Sequence, residues 1–178
     1  MEPERKHKPR PPLDGEALER LALFYAGRYA TTRAKLRTYL GRKLRERGWG
    51  GDAEPDVERL VGRLAALGYV DDRAFAASRA ASLSRRGYGE RRLRDSLAAA
   101  GIEEEDAAEA RAQAQAEAWN AALRFAERRR IGPFAEVEPD RAGRERAMGA
   151  MIRAGHPPQV ARRLVTARPG IIPESDDG

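Results

Sequence analysis

The sequence contains no cysteine, which excludes disulfides and cysteine-ligated zinc. Histidine is almost as scarce. His7 lies in a polar N-terminal stretch and His156 sits beside two prolines, a poor pair from which to build a metal site. Aromatic residues fill only 6% of the 178 positions, so the core is expected to be thin and rich in alanine. No apolar run approaches the ~20 residues of a membrane span, and residues 1–12 lack the apolar segment of a secretory signal. No membrane contact is expected, and the chain reads as cytoplasmic. Strand-like alternation is missing throughout. Without strands no glycine-rich loop has the strand-to-helix setting of a phosphate cradle, and Gly48-Trp49-Gly50-Gly51 reads as a turn.

What the chain has in quantity is charge and helical periodicity. Charged residues make up 35% of the sequence, hydrophobic residues 41%, and the net charge is +6. This balance suits a surface-rich helical protein better than a compact enzyme, and it favours polyanions or acidic protein surfaces as partners. A first helix is expected from about Asp14 to Arg28, with Leu18, Leu21, Ala22 and Tyr25 on one face. Thr31 or Thr32 can cap a second that reaches about Arg47 and stops at Gly48. Asp56 opens a third, whose Val57, Leu60, Val61, Leu64 and Leu67 form the cleanest apolar stripe in the chain before Gly68 ends it.

The cycle then recurs. Asp71 or Asp72 starts a helix carrying Phe75, Ala76, Ala80 and Leu83 that stops at Gly87. A short helix from Gly89 carries Leu93 and Leu97 and stops at Gly101. The acids from Glu103 to Asp106 suit the start of a long alanine-rich helix. A break is expected near Trp119-Asn120, then a loop from Pro133 to Pro139, a helix through Met148 and Met151 to Gly155, and a last helix started by Pro157 or Pro158. Gly48, Gly101 and Gly155 are separated by 53 and 54 residues, and Phe24, Phe75 and Phe125 by 51 and 50. Both spacings fit three copies of a three-helix unit. The expected organisation is all-α: a disordered basic tail over 1–13, three-helix repeats over 14–70, 71–118 and 119–168, and a flexible tail over 169–178.

Catalytic chemistry finds little to stand on. Asp71 and Asp72 follow a Gly68-Tyr69 stop and precede an apolar helix face, which makes them helix caps rather than an acid/base or metal pair. Tyr69 and Val70 are expected to fold back against the helix that ends there. Basic clusters are more informative because they are local. Between Arg28 and Arg47 eight cations face a single acid, Glu46, and between Arg79 and Arg94 six face only Glu90. Within these, Arg85, Arg86, Arg91, Arg92 and Arg94 are the leading candidates for contact with a partner, followed by Lys35, Arg37, Arg42 and Lys43. If equivalent helices stack, the clusters align into one positive ridge that a filamentous polyanion could follow.

The residues Gly68-Tyr69-Val70-Asp71-Asp72 with Phe75-Ala76, then Arg86-Gly87-Tyr88-Gly89, Arg92-Leu93 and Leu97 ahead of Gly101-Ile102, closely resemble the RecX regulatory family. The likeness covers about Ala17 to Val165 and is most specific in its central motif. It departs in the third repeat, where Ala147 and Met148 replace larger apolar residues and His156 stands in place of an aromatic. The resemblance implies a curved right-handed array of three-helix repeats that lodges in the groove of RecA filaments on DNA and modulates, usually inhibits, recombinase ATPase, strand exchange and co-protease activity. The expected partner is therefore the RecA filament, with DNA phosphates within it as a further contact, and the chain is expected to act as a monomer without catalysis, cofactor or metal. Gly68, Tyr69, Asp71, Asp72, Phe75, Gly87, Tyr88 and Gly89 are assigned to architecture. The rival reading is a sequence-nonspecific DNA- or RNA-binding helical protein, though no helix-turn-helix pairing with base-reading residues is identifiable. A hydrolase or nuclease would need a carboxylate cluster that the sequence does not assemble.

Overall fold

Side chains that accept hydrogen bonds mark several helix starts. In the computed structural model, which describes residues 11–175, Asp14 accepts from the Ala17 N–H at 2.8 Å and opens α1 (Gly15–Arg28). Thr32 accepts from the Lys35 N–H at 3.1 Å and opens α2 (Arg33–Arg47). Asp56 does the same for α3 (Val57–Ala66), at 2.9 Å from the Arg59 nitrogen. There follow α4 (Asp72–Arg85), α5 (Glu90–Ala99), α6 (Glu104–Ala116) and α7 (Ala118–Arg129). A short 3-10 turn (Gly132–Phe134) then leads to α8 (Arg141–Arg153), capped by Asp140, and α9 (Pro158–Thr166), which has proline at its first position. Among the described residues the fold is all-α, and the only pairing of β type is an isolated bridge between Leu13 and Trp49.

The ends of α3, α4, α5, α7 and α8 follow one recipe. At the end of α3 the Gly68 N–H bonds the Ala65 carbonyl and the Tyr69 N–H reaches back to Leu64, both at 2.9 Å, with Gly68 at φ 78°. This pair of bonds satisfies carbonyls the helix would otherwise leave open, at a backbone angle that suits glycine. The same pair closes α4 at Gly87, α5 at Gly101 and α8 at Gly155. Arg130 closes α7 in the same way at φ 53°, a left-handed position without glycine.

The chain divides into two compact units, one ending at Asp71 and the other beginning at Asp72. In the first, Leu18, Ala22, Leu36, Leu40, Leu60, Val61 and Leu64 from α1, α2 and α3 bury one core, joined by Leu13 and Val70. Tyr25 stacks on Tyr39 with ring centres 4.1 Å apart, and surface pairs Arg63–Glu19 and Arg37–Glu58 tie α3 to its neighbours. The expected tail is shorter at its inner end. Leu13 is fully buried, its N–H bonds the Gly48 carbonyl, and Arg47 donates to the Pro11 carbonyl. The rest of that tail, with His7, and residues 176–178 lie outside the described residues.

The second unit contains two three-helix bundles, α4–α6 and α7–α9, each with its own core, and Tyr88 packs against both. The break expected near Trp119-Asn120 falls between α6 and α7 at Glu117, two residues earlier. Glu117 accepts from the Ser84 hydroxyl at 2.8 Å, so the residue that interrupts the helix is held by α4. The recurrence of phenylalanine proves to be coincidental. Phe24 is 60% exposed near the end of α1, Phe75 is half-buried in the first turn of α4, and Phe125 is buried in the second half of α7. The glycine stops, by contrast, mark structurally equivalent ends of α5 and α8. After α9 the chain is not loose at once, because the Gly170 N–H bonds the Pro133 carbonyl at 2.8 Å.

The bundles of the second unit meet backbone to backbone. The Gly89 N–H bonds the Ala154 carbonyl at 2.9 Å. A methyl group on Gly89 would lie 2.3 Å from the Gly155 oxygen, and one on Gly87 would lie 2.6 Å from the Phe125 nitrogen. Gly89→Ala is therefore expected to destabilise the second unit by about 1–3 kcal/mol through forced separation of the two turns. Chemical denaturation read by circular dichroism checks this, with Gly62→Ala on the exposed side of α3, where an added methyl meets nothing within 4 Å, as the control.

Candidate functional site around Tyr88

The α4–α5 turn that makes this junction also gathers the cations. Gly87 reverses the chain, which puts Tyr88 between the cores of the two bundles and leaves Arg86 at one side of its ring. Helix α5 is set against α6 by Arg111, which donates to Glu90 at 2.6 Å and also pairs with Glu104. The Glu90 hydrogen bond raises the Arg111 pKa further and keeps the guanidinium charged. With α5 fixed, Arg92 comes over the Tyr88 ring from its first turn, and Arg128 arrives from α7. The three guanidinium carbons lie 5.0 Å (Arg86), 6.0 Å (Arg92) and 5.8 Å (Arg128) from the ring centre. These are cation–π distances.

Beside this collar lies a groove of about 310 Å³, lined by Arg79, Arg86, Tyr88, Arg92, Asp95 and Ser96 together with Leu83 and Ala99. Arg79 is anchored there, donating to the Ser96 hydroxyl at 2.7 Å. No carboxylate pairs with Arg86, Arg92 or Arg128 among the described residues, although Asp95 lies in the same groove. Like charges gathered this closely repel one another, so the arrangement favours an anion brought from outside.

Below the collar the junction is buried. His156 is buried, its Nε2 lies 3.0 Å from the Gly87 carbonyl, and its ring packs 5.5 Å from Phe125. That contact makes Nε2 the protonated nitrogen and leaves Nδ1 without a partner. Burial depresses the His156 pKa from 6.5 to about 4, only partly opposed by the Gly87 hydrogen bond. The imidazole is a neutral structural strut.

The nine candidate contact residues fall into two groups. Arg85, Arg86, Arg92 and Arg94 are exposed and have no carboxylate partner among the described residues. Arg85 sits apart from the collar, at the rim of a separate cleft of about 500 Å³ with Gln113 and Arg124. Arg91 reaches the Ile152 carbonyl at 3.3 Å and so takes part in the junction. In the first unit Arg37 pairs with Glu58 at 2.8 Å, while Lys43 and Arg42 share Glu46 at 2.6 and 3.6 Å. Lys35 is exposed on α2.

Of the motif residues, Tyr69 departs from expectation. Its backbone closes α3 but its side chain is 54% exposed, and Val70 is the residue that packs into the core. Asp72 is the first residue of α4 and is buried, and Asp71 precedes it at the surface. Phe75 packs against the α4–α6 core. Arg79 and Arg128 complete the basic surface around Tyr88, and Gly155 and His156 hold it from below. Arg128 stands out locally as part of a basic run, Arg124 with Arg128, Arg129 and Arg130, but neither it nor His156 carries a local signal of its partner, some 40 to 70 residues away along the chain.

No group of three acidic or histidine side chains able to hold a metal occurs among the described residues, and no helix there is long and apolar enough to cross a membrane. Tandem three-helix bundles with an arginine-lined turn define a helical-repeat protein. Residues 71–110 match the family profile described as RecX, second three-helix domain. The chain is 32% identical over 160 residues to Regulatory protein RecX of Myxococcus xanthus, a match covering 85% of this chain and 86% of that protein. It is 42% identical over 103 residues to Regulatory protein RecX of Thermus thermophilus, covering 58% and 69%. The chain belongs to the RecX family of regulatory proteins. The fold agrees. The crystal structure of RecX from Lactobacillus salivarius superposes with a TM-score of 0.61 at 18% identity over 84% of this chain and 93% of that one. A second structure, of regulatory protein RecX, gives 0.59 at 22% identity over 84% and 72%.

The depressed pKa of His156 makes a pH prediction. Above pH 6.5 the imidazole is neutral whether the chain is folded or not, so it contributes no pH dependence. As pH falls below 6.5 the unfolded chain takes up the proton first, and stability is lost until the folded pKa of about 4 is passed. Between pH 7 and pH 5 the expected loss is about 2 kcal/mol. Urea denaturation at the two pH values measures it. His156→Gln should abolish most of the difference while lowering stability at both.

Proposed function

We propose that this chain binds RecA filaments on DNA and modulates the recombinase by inhibition, acting through occupancy of a surface and not through catalysis. The observation that supports this best is an arginine face without acidic partners on a member of a regulatory family. Helical repeats present that face to the acidic surfaces of neighbouring RecA protomers and to the phosphates of the DNA they hold. A repeat protein lodged across protomers obstructs filament growth or the groove needed by homologous DNA. Arg92 and Arg94 on α5 carry the contact, with Arg86 beside them. The cations of α2 play a lesser part, because docking first takes Arg37, Arg42 and Lys43 from Glu58 and Glu46. Such exposed pairs are worth no more than about 1 kcal/mol each, so they temper the contact without forbidding it.

ATP hydrolysis by RecA on single-stranded DNA tests this reading. The protein is expected to suppress hydrolysis at amounts well below one per RecA protomer. Arg92→Glu with Arg94→Glu should raise the concentration for half-suppression by at least tenfold, about 1.4 kcal/mol of lost binding, with an unchanged thermal midpoint. Arg91 is left intact in that variant because its guanidinium supports the junction. Full suppression by the double variant would remove α5 from the contact, and absence of any suppression by the unaltered protein would overturn the reading.

A further inference from the structure

The collar around Tyr88 has a chemistry more specific than basic charge. We infer that Arg86, Arg92 and Arg128, held over the Tyr88 ring, form a receptor for one phosphodiester group of a single-stranded nucleic acid. The inference rests on the reading that this face meets a nucleoprotein, and it assigns the part of the face that touches nucleic acid rather than protein.

Three observations carry it. The guanidiniums come from three separate elements, the α4–α5 turn, α5 and α7, and meet on one ring at 5.0 to 6.0 Å. None has a carboxylate partner among the described residues, whereas Arg111, Arg73 and Arg124 of the same unit all do. The groove at the foot of the collar is concave, about 310 Å³, and adds Arg79 and the Ser96 hydroxyl.

The spread of charge favours a nucleic-acid phosphate over a lone carboxylate. Exposed cations continue from the collar to Arg94 on α5, and a strand that carries one charge per nucleotide can meet the collar and its neighbours together. Tyr88 is a positioning residue. Its ring packs against both cores and has three guanidinium carbons within 6.0 Å of its centre, and in this role it orders the arginines. Ordering them before binding lowers the entropic cost of gathering three flexible side chains around one anion. Arg79, tied to Ser96, sets the inner limit of the site, and Asp95 on the groove wall disfavours a ligand that would fill it with further negative charge. A mononucleotide or free inorganic phosphate shares the chemistry but lacks flanking contacts, so it binds far more weakly than a strand that continues along the basic face.

The test uses the full chain and a fluorescent thymidine oligonucleotide, with anisotropy measured from low to moderate salt and RecA-dependent ATP hydrolysis followed separately. Arg86→Gln with Arg128→Gln is expected to weaken oligonucleotide binding about tenfold and to reduce the salt slope by roughly 0.7, the value for one lost phosphate contact on a single strand. Arg162→Gln with Arg168→Gln removes the same charge elsewhere and should change binding by less than about threefold. Tyr88→Leu should weaken binding while Tyr88→Phe, which keeps the ring, restores it. Inorganic phosphate should compete only at concentrations far above those of the oligonucleotide. Equal loss in both arginine pairs, or an unchanged salt slope in the first, would overturn the receptor. So would displacement of the oligonucleotide by polyglutamate at lower concentrations than by unlabelled oligonucleotide, which would give the site to an acidic protein segment. Suppression of RecA by the first pair with oligonucleotide binding intact would sink the receptor alone, whereas loss of oligonucleotide binding in that pair, with no suppression of RecA even by the unaltered protein, would overturn the proposed function and leave the receptor standing.

Discussion

The close approach of two glycine turns is the constraint on which the second unit depends. Gly87-Tyr88-Gly89 and Gly155-His156 come together so tightly that backbone atoms touch where side chains ordinarily would. Contact at that range fixes α5 relative to α7 and α8 without a large hydrophobic interface. That matters in a chain with so few aromatics, where alanine supplies much of each core. A buried neutral histidine completes the joint by bonding the Gly87 carbonyl, so a polar group that would otherwise be stranded is satisfied.

From that joint the electrostatics follow. Tyr88 is pinned between two cores, and its ring becomes the common surface over which arginines from three elements gather. The position of Arg128 is therefore a product of bundle packing and not of α7 alone. By contrast, the cations of α2 sit on a helix within reach of Glu46 and Glu58 and are partly neutralised there. Two clusters of similar composition thus differ in what they can offer a partner, and the difference lies in where the acids stand in three dimensions.

Local signals were legible in the sequence. Thr32, Asp56 and Gly68 set their helix ends by rules that act within five residues, and the glycines ahead of Ile102 and His156 mark equivalent ends of α5 and α8, while Gly48 ends α2 with a single bond to Leu44. The break at Glu117 was less so, because an alanine-rich stretch without glycine or proline gives no stop and the kink is held by Ser84 from another helix. The phenylalanine spacing misled because a spacing near 50 residues is easily met by side chains at different heights on different helices. At the site, the sequence pointed to the arginines of α4 and α5. It could not show that Arg91 belongs to the joint, that Arg128 joins the collar, or that Tyr69 faces outward while Val70 packs inward. Each of these depends on packing between residues distant in the chain.

The joint and the collar occupy the same turn but draw on different atoms, backbone for one and guanidiniums for the other. A motif as conspicuous as Gly87-Tyr88-Gly89 is then a mechanical fitting, and the charges mounted on it are interchangeable parts. Single exchanges of the arginines at positions 86, 92 and 128 are expected to leave the glycine contact in place, because that contact is made by backbone atoms. A lineage carrying this fold is free to strengthen or weaken its grip on a partner in small steps, at little risk to folding.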